Sequence, residues 1–391
     1  MTVRKKALII TYYWPPAGGP GVQRWLKFVK YLPEFTIIKR PISEPYKLAS
    51  LFSKKKSKTI SKGIITDVKK QSLLEKIMLF IRGNFFIPDA RVGWVKPSVN
   101  FLLDYIKNEQ IETIITTGPP HSLHLIGKQL KEQLGVKWIA DFRDPWTQIG
   151  YHKQLKLTKS SELKHKTLER EVLNSSDQII VTSFTTKKEF QLLTKQPIEV
   201  ITNGYDVESL NSVTLDSKFS IAHIGSLLSK RNPRVLWRVL SDLVNEYNDF
   251  SNDFQLNFIG LLSKDVLKSI QIHNLSKYCN EIGYVSHKEA LMFQKKSQIL
   301  LLIEINSEET NCIIPGKLFE YMVSNRPIIA LGPKASDVET IIKETNAGNY
   351  FYYDDYQSLK TVILKHYKDF QAKNLQSHPI GLQKYSRKSL T

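Results

Sequence analysis

Thirteen short runs rich in β-branched residues, separated by amphipathic stretches, constrain this chain more than any other feature. In the first half they read ALIITYY (7–13), FTIIKR (35–40), GIITDV (63–68), TIITTG (113–118), KWIADF (137–142), QIIVTS (178–183) and IEVITNG (198–204). A second series follows with FSIAHIG (219–225), FQLNFIG (254–260), NEIGYV (280–285), ILLLIE (299–304), PIIALG (327–332) and NYFYYD (349–354). Strand runs that alternate with helical patterns predict α/β architecture with parallel sheets. Two series of similar size predict two doubly wound, Rossmann-like domains facing a cleft, and 391 residues suffice for a core in each. Asn203-Gly204 makes a turn signal, and the polar run after it has no sustained periodicity. The expected division is therefore a first domain over 1–205, a second over 206–375, and a tail over 376–391 returning towards the first domain. Ligands of such folds bind where the carboxyl ends of the strands face the cleft.

The stretch TYYWPPAGGPGVQRW (11–25) follows the first strand run and precedes an amphipathic segment. Glycines let backbone approach a bulky ligand, and a helix opening offers unpaired N–H groups, so Gly18 and Gly19 suit an anionic or polyhydroxy ligand, with Arg24 at the helix start. A plain strand-to-helix turn explains the same residues. The dinucleotide fingerprint GxGxxG is absent, because Gly18, Gly19 and Gly21 are interrupted by Pro20.

Charge is distributed unevenly. Residues 1–205 carry 34 Lys+Arg against 17 Asp+Glu, a net of +17, whereas 206–391 carry 22 against 20, a net of +2. A basic face on one domain suits an anionic membrane or a phosphorylated substrate, or else a generally lysine-rich solvated surface. No nucleic-acid-binding motif accompanies the charge, which argues against nucleic acid as a partner. The basic run SKKKSKTISK (53–62) is followed by SLLEKIMLFIRGNFF (72–86), where Leu73, Leu74, Ile77, Met78 and Ile81 recur at helical spacing. Such a pair reads as an in-plane membrane anchor or as an ordinary core-facing helix. Two cysteines, Cys279 and Cys312, make neither a disulfide framework nor a four-ligand zinc site. The first apolar run is too short for a signal peptide, and no stretch reaches membrane-spanning length. The expectation is a cytoplasmic protein, peripheral on the inner face of the cytoplasmic membrane.

The second half carries the more specific chemistry. In GSLLSKRNPRVLWRVL (225–240) Lys230 and Arg231 fall in a strand-to-helix loop, with the helix expected from Pro233. In NCIIPGKLFEYMVSNRPIIALG (311–332) Pro315 suits a first helical turn, so Gly316 and Lys317 would sit at a helix end able to bind an anion. Lys317, Glu320 and Tyr321 share a face at spacings of three and four, and a carboxylate one turn from a phosphate can accept two hydrogen bonds from a ribose diol. A capped surface helix with a Lys–Glu pair is the alternative reading.

The ordered set WPPAGGPGVQRW, TTGPPHSLHL, ADFRDPW, VITNGYD, GSLLSKRNP and PGKLFEYMVSNRPIIALG resembles bacterial glycosyltransferases of family 4, from the first strand to about residue 370. The resemblance implies a GT-B fold and a retaining transferase working without a metal cofactor. Its second domain would bind a nucleotide-sugar donor and its first a glycan or lipid-linked acceptor, in surface polysaccharide synthesis. It assigns Glu320 to the donor ribose and Arg231 to the diphosphate. Lys317 and Gly316 fall to the adjoining phosphate and sugar loop, with Lys230 and Ser226 beside them, and Gly18 and Gly19 to the loop near the transferring sugar. His121 would touch the donor sugar, and Arg24 and Asp144 would lie on the acceptor side. The chain departs from the family where Cys312 replaces the first of two paired glutamates and Ser226 a basic residue, while Glu308 and Glu309 are out of register. An epimerase or phosphorylase of the same fold, or a non-catalytic sugar-binding subunit, are the rival readings.

Overall fold

The structure is a computed structural model and describes residues 6–15, 20–32, 73–150, 152–206 and 213–391. Among them eleven strands form two parallel sheets. The first sheet has the order β1 (Ala7–Ile10), β2 (Thr113–Gly118), β3 (Lys137–Phe142), β4 (Gln178–Val181) and β5 (Ile198–Val200). The second contains β6 (Phe219–Ile224), β7 (Phe254–Ile259), β8 (Cys279–Gly283), β9 (Ile299–Ile303), β10 (Ile328–Leu331) and β11 (Gly348–Phe351), in the order β11-β10-β9-β6-β7-β8. The runs at 35–40 and 63–68, the basic run 53–62, and Gly18 and Gly19 lie outside the described residues.

Continuous apolar runs form these strands because both faces are covered. In β9, Ile299, Leu301 and Ile303 face a cluster containing Trp237 and Leu240, while Leu300 and Leu302 face Phe319 and Ile341 on the other side. Each such side chain contributes roughly 1.5–3 kcal/mol by leaving water. In the first domain Ile114, Trp138, Ala140 and Phe142 pack with Leu123 and Ile126 of the helix Ser122–Leu134. From β6 the chain moves outward to β7 and β8, then returns to the other side of β6 as β9. The second sheet's topological switch therefore lies between β6 and β9, the place where doubly wound sheets leave a crevice.

The last residues bridge the two halves. Tyr205 N–H donates to the Tyr385 carbonyl (3.1 Å) and Arg387 N–H to the Tyr205 carbonyl (3.0 Å). The Arg387 guanidinium lies 2.6 Å from the Asp206 carboxylate, with both side chains about nine-tenths buried. Leu390 packs on the first-domain cluster of Trp25, Phe28 and Val29.

The helix Leu73–Phe85 does not turn its apolar stripe into the core. Ile77 is 52% exposed, Met78 62% and Phe85 73%, so core packing does not explain its spacing. It is seated instead through Gly83, which lies against Leu155 and Leu157, and through Asn84, whose side-chain oxygen accepts from Thr158 N–H at 2.8 Å.

Candidate anion site at the second-domain strand ends

At the end of β6 the backbone turns through Gly225 at φ +115°, a conformation open to glycine alone without strain. The short helix Lys317–Met322 docks on this turn through two side chains one turn apart. Lys317 Nζ donates to the Ile224 carbonyl (2.9 Å) and Ile224 N–H donates to the Tyr321 hydroxyl (3.1 Å). His223 completes the arrangement. Its Nδ1 lies 3.0 Å from the Leu301 carbonyl, which can only accept, so Nδ1 carries the proton and Nε2 turns its lone pair to Lys317 Nζ at 3.5 Å. Burial, then the Lys317 charge, holds His223 well below the usual imidazole range.

Burial, then the nearby Arg231 guanidinium, pulls the Lys317 ammonium down to about 7. Arg231 sits in the 3₁₀ turn Ser229–Arg231, and its own burial lowers it too, an effect that Tyr353 and Glu304 oppose. Among the described residues neither cation is in an ion pair. Two desolvated positive groups, in no ion pair among the described residues, at a topological switch make a candidate anion site.

The sequence reading missed Glu304, the residue directly after β9. It is 4% exposed; Ser336 Oγ donates to it at 2.9 Å and Tyr350 OH at 2.7 Å, and its own carbonyl accepts from Tyr353 OH at 2.7 Å. Burial raises its carboxyl to about 7 against the opposing hydrogen bonds and Arg231. Its one sequence signal was a lone acid closing the run ILLLIE. An anion bound between these groups favours protonated Lys317 and, by repulsion, protonated Glu304. Binding therefore takes up protons above pH 7 and weakens as pH rises, about tenfold per unit for each proton. Calorimetric titration with inorganic diphosphate at several pH values between 6 and 9 should show this; flat affinity excludes the two groups from the site.

The other sequence candidates lie in different surroundings. Ser226 follows the Gly225 turn beside His223, whereas Lys230 is exposed, and the residue Gly316 is the N-cap of a helix of six residues that begins at Lys317. Pro233 likewise caps its helix, which begins at Arg234. Glu320 does not point with Lys317. Its carboxylate accepts from Gln294 Nε2 at 3.2 Å and lies 3.8 Å from both His287 Nε2 and Lys27 Nζ, the latter on the first-domain helix Pro20–Phe28. It lines a cavity of about 360 Å³ with Lys27, Tyr205, His287, Gln294 and Arg387, and neither Lys317 nor Arg231 reaches that cavity.

In the first domain His121 is 4% exposed and stacks on Trp146 (5.0 Å between centroids, 3° between planes). Among the described residues neither ring nitrogen has a hydrogen-bond partner. The groups that act on it electrostatically, His124, Arg143, His152 and His165, all belong to its own domain. The structure thus buries His121 within the first domain, beneath Trp146. Arg24 is also buried, paired with Asp141 (Nη2 to Oδ1, 3.0 Å), so it is a structural group and does not offer a free charge to an acceptor. Asp144 is pushed up by burial and partly offset by Arg143. Gly21 lies against Arg143, where a Cβ would come within 2.0 Å of Nη1.

Cys312 explains its own departure from the expected glutamate. Burial raises its thiol to about 12, helped by Glu189, Asp144 and Asp337, while a bond with Thr186 works against the rise. A carboxylate here would join three others at the domain junction, where Thr185 N and Oγ1 each donate to Asp337 at 3.0 Å.

No family model and no curated protein matches the sequence. Solved structures do match. HepE from Anabaena with bound UDP aligns at 12% identity over 76% of this chain and 81% of that one, with a TM-score of 0.57. The same protein with UDP-glucose aligns at 12% identity over 76% and 81%, with a TM-score of 0.53. The lipopolysaccharide outer core galactosyltransferase WaaB in its apo form aligns at 14% identity over 75% and 76%, with a TM-score of 0.50. With two Rossmann-like parallel-sheet domains and these neighbours, the chain has the GT-B fold.

Proposed function

We propose that this chain is a retaining glycosyltransferase that moves a sugar from a nucleoside diphosphate sugar to a glycan or lipid-linked saccharide. The observation that carries the reading is the desolvated pair Lys317 and Arg231 at the β6–β9 switch, which suits a diphosphate. The complexes of HepE with UDP and UDP-glucose support a uridine nucleotide as the donor to try first, and WaaB supports a saccharide acceptor.

In this reading the acceptor oxygen bonds to the anomeric carbon as the bond from that carbon to the β-phosphate oxygen breaks, on the same face of the sugar. The bonding pair leaves with the diphosphate, and the acceptor proton passes to the departing phosphate oxygen. Lys317 and Arg231 stabilise the charge that grows on that oxygen, so the step requires no metal. The resemblance assigns the ribose to Glu320, whose carboxylate opens on the separate cavity, so this role requires it to leave Gln294, His287 and Lys27 and turn towards the Lys317–Arg231 side as the donor enters.

Incubation with UDP-glucose and a cell lipid extract tests the reaction. Transfer of glucose supports it, and conversion of the sugar without any acceptor would replace it by an epimerase. Binding of no nucleoside diphosphate, uridine, guanosine or adenosine, overturns the donor assignment itself. Glu320→Ala should raise the dissociation constant for the bound nucleotide by about 10- to 100-fold through loss of charge-assisted hydrogen bonds. An unchanged titration removes Glu320 from the nucleotide site and leaves the Lys317–Arg231 pair to be judged separately.

A further inference from the structure

Six of the described protein's exposed large apolar side chains crowd into ten residues: Ile77, Met78, Phe80, Ile81, Phe85 and Phe86. At about 100° per residue, Ile77, Met78, Ile81 and Phe85 fall within roughly one quarter to one third of the turn of helix Leu73–Phe85. The opposite side carries Gly83, packed on Leu155 and Leu157, so the helix is fastened by one face and presents the apolar one outward. Lys76 and Arg82 on the helix, and Lys156 and Lys159 on the segment packed beside it, are all exposed and, among the described residues, in no ion pair.

We propose that this face is a docking surface for an anionic lipid bilayer, with the helix lying in the membrane plane. No helix among the described residues is long and apolar enough to cross a membrane. A helix of 13 residues with an apolar stripe and flanking cations instead enters the headgroup boundary, its apolar side chains among acyl chains and its cations at phosphate. Charge selects this occupant over the two nearest alternatives. A second copy seated on the stripe would bring together two net-basic surroundings, because Lys76, Arg82, Lys156 and Lys159 outnumber the one acid of the helix, Glu75. The chain's own residues 33–72 bring ten Lys+Arg against three Asp+Glu, so they repel the same cations.

Flotation with vesicles tests the proposal independently of any transferase activity. Vesicles of phosphatidylcholine containing about one-third phosphatidylglycerol should bind the protein about tenfold or more better than pure phosphatidylcholine, and salt should remove the difference. Ile81→Asp with Phe85→Asp should abolish binding, and Lys76→Ser with Arg82→Ser should weaken it and flatten its salt dependence. Inorganic diphosphate titration of each variant checks that the distant domain remains folded. A Phe85→Trp variant should emit as a solvated indole in buffer and shift to the blue on adding the anionic vesicles. Equal partition to neutral vesicles, binding that survives the aspartates, or blue emission in buffer alone would each overturn the proposal, the last because protein already covers the face.

Discussion

An Arg24→Met variant is expected to lose about 3–5 kcal/mol of stability, the usual result of stripping one partner from a buried ion pair. Asp141 is fully buried and accepts from Arg24 Nε at 3.3 Å, Arg24 Nη2 at 3.0 Å, Trp25 Nε1 at 2.9 Å and Thr117 Oγ1 at 2.7 Å. Arg24 Nη1 also donates to the Thr202 carbonyl at 3.2 Å, tying the helix Pro20–Phe28 to the far end of the domain. Burial by itself would raise Asp141, yet the charge and hydrogen bonds of Arg24, the Thr117 bond and nearby Arg143 hold it below the usual carboxylate range. The contribution is therefore whole above the unfolded value near pH 4 and disappears as pH falls through the lower folded one. Thermal unfolding should register the loss as a drop on the order of 10 °C. Arg24→Met combined with Asp141→Asn should recover much of it, since a neutral amide can still accept from Trp25 and Thr117. A single variant that melts with the wild type would show that Asp141 is not charged in the fold.

Arg231→Ala is expected to lower kcat/KM by about 10²–10³-fold, with most of the loss in kcat, if the guanidinium acts on charge that develops as the diphosphate leaves. Arg231 is half-buried and has Glu304 and Tyr353 as its nearest electrostatic counterweights. Lysine keeps the charge but not the planar fork, so Arg231→Lys should restore only part of the rate. The comparison uses whichever sugar nucleotide the wild type turns over. A kcat within a factor of about three of wild type would leave Arg231 as a ground-state binder and shift the burden to Lys317.

Eleven of the thirteen strand runs fall on described strands, and they were legible because a parallel sheet covered on both faces needs uninterrupted apolar residues bounded by turn residues. Side-chain direction was less legible. Lys317 and Glu320 share a helical face by spacing, yet Lys317 folds inward onto a peptide oxygen 93 residues away in sequence. Glu320 is drawn the other way by Gln294, His287 and Lys27. Arg24 read as a ligand-side cation because its partner, Asp141, is 117 residues distant. His121 lies beneath Trp146, and no local pattern announces that stacking. Glu304 was visible only as the last letter of a strand. In each case the deciding neighbour comes from a distant segment, and periodicity within one segment carries no information about it.

The grip of Lys317 and Tyr321 on the carbonyl and amide of Ile224 has an evolutionary consequence. Peptide groups are the same whichever apolar residue occupies position 224, so that buried side chain can change within the limits of core packing while the ammonium keeps its anchor. A turn anchored on main chain in this manner can outlive recognisable ancestry: shape persists after spelling has been lost.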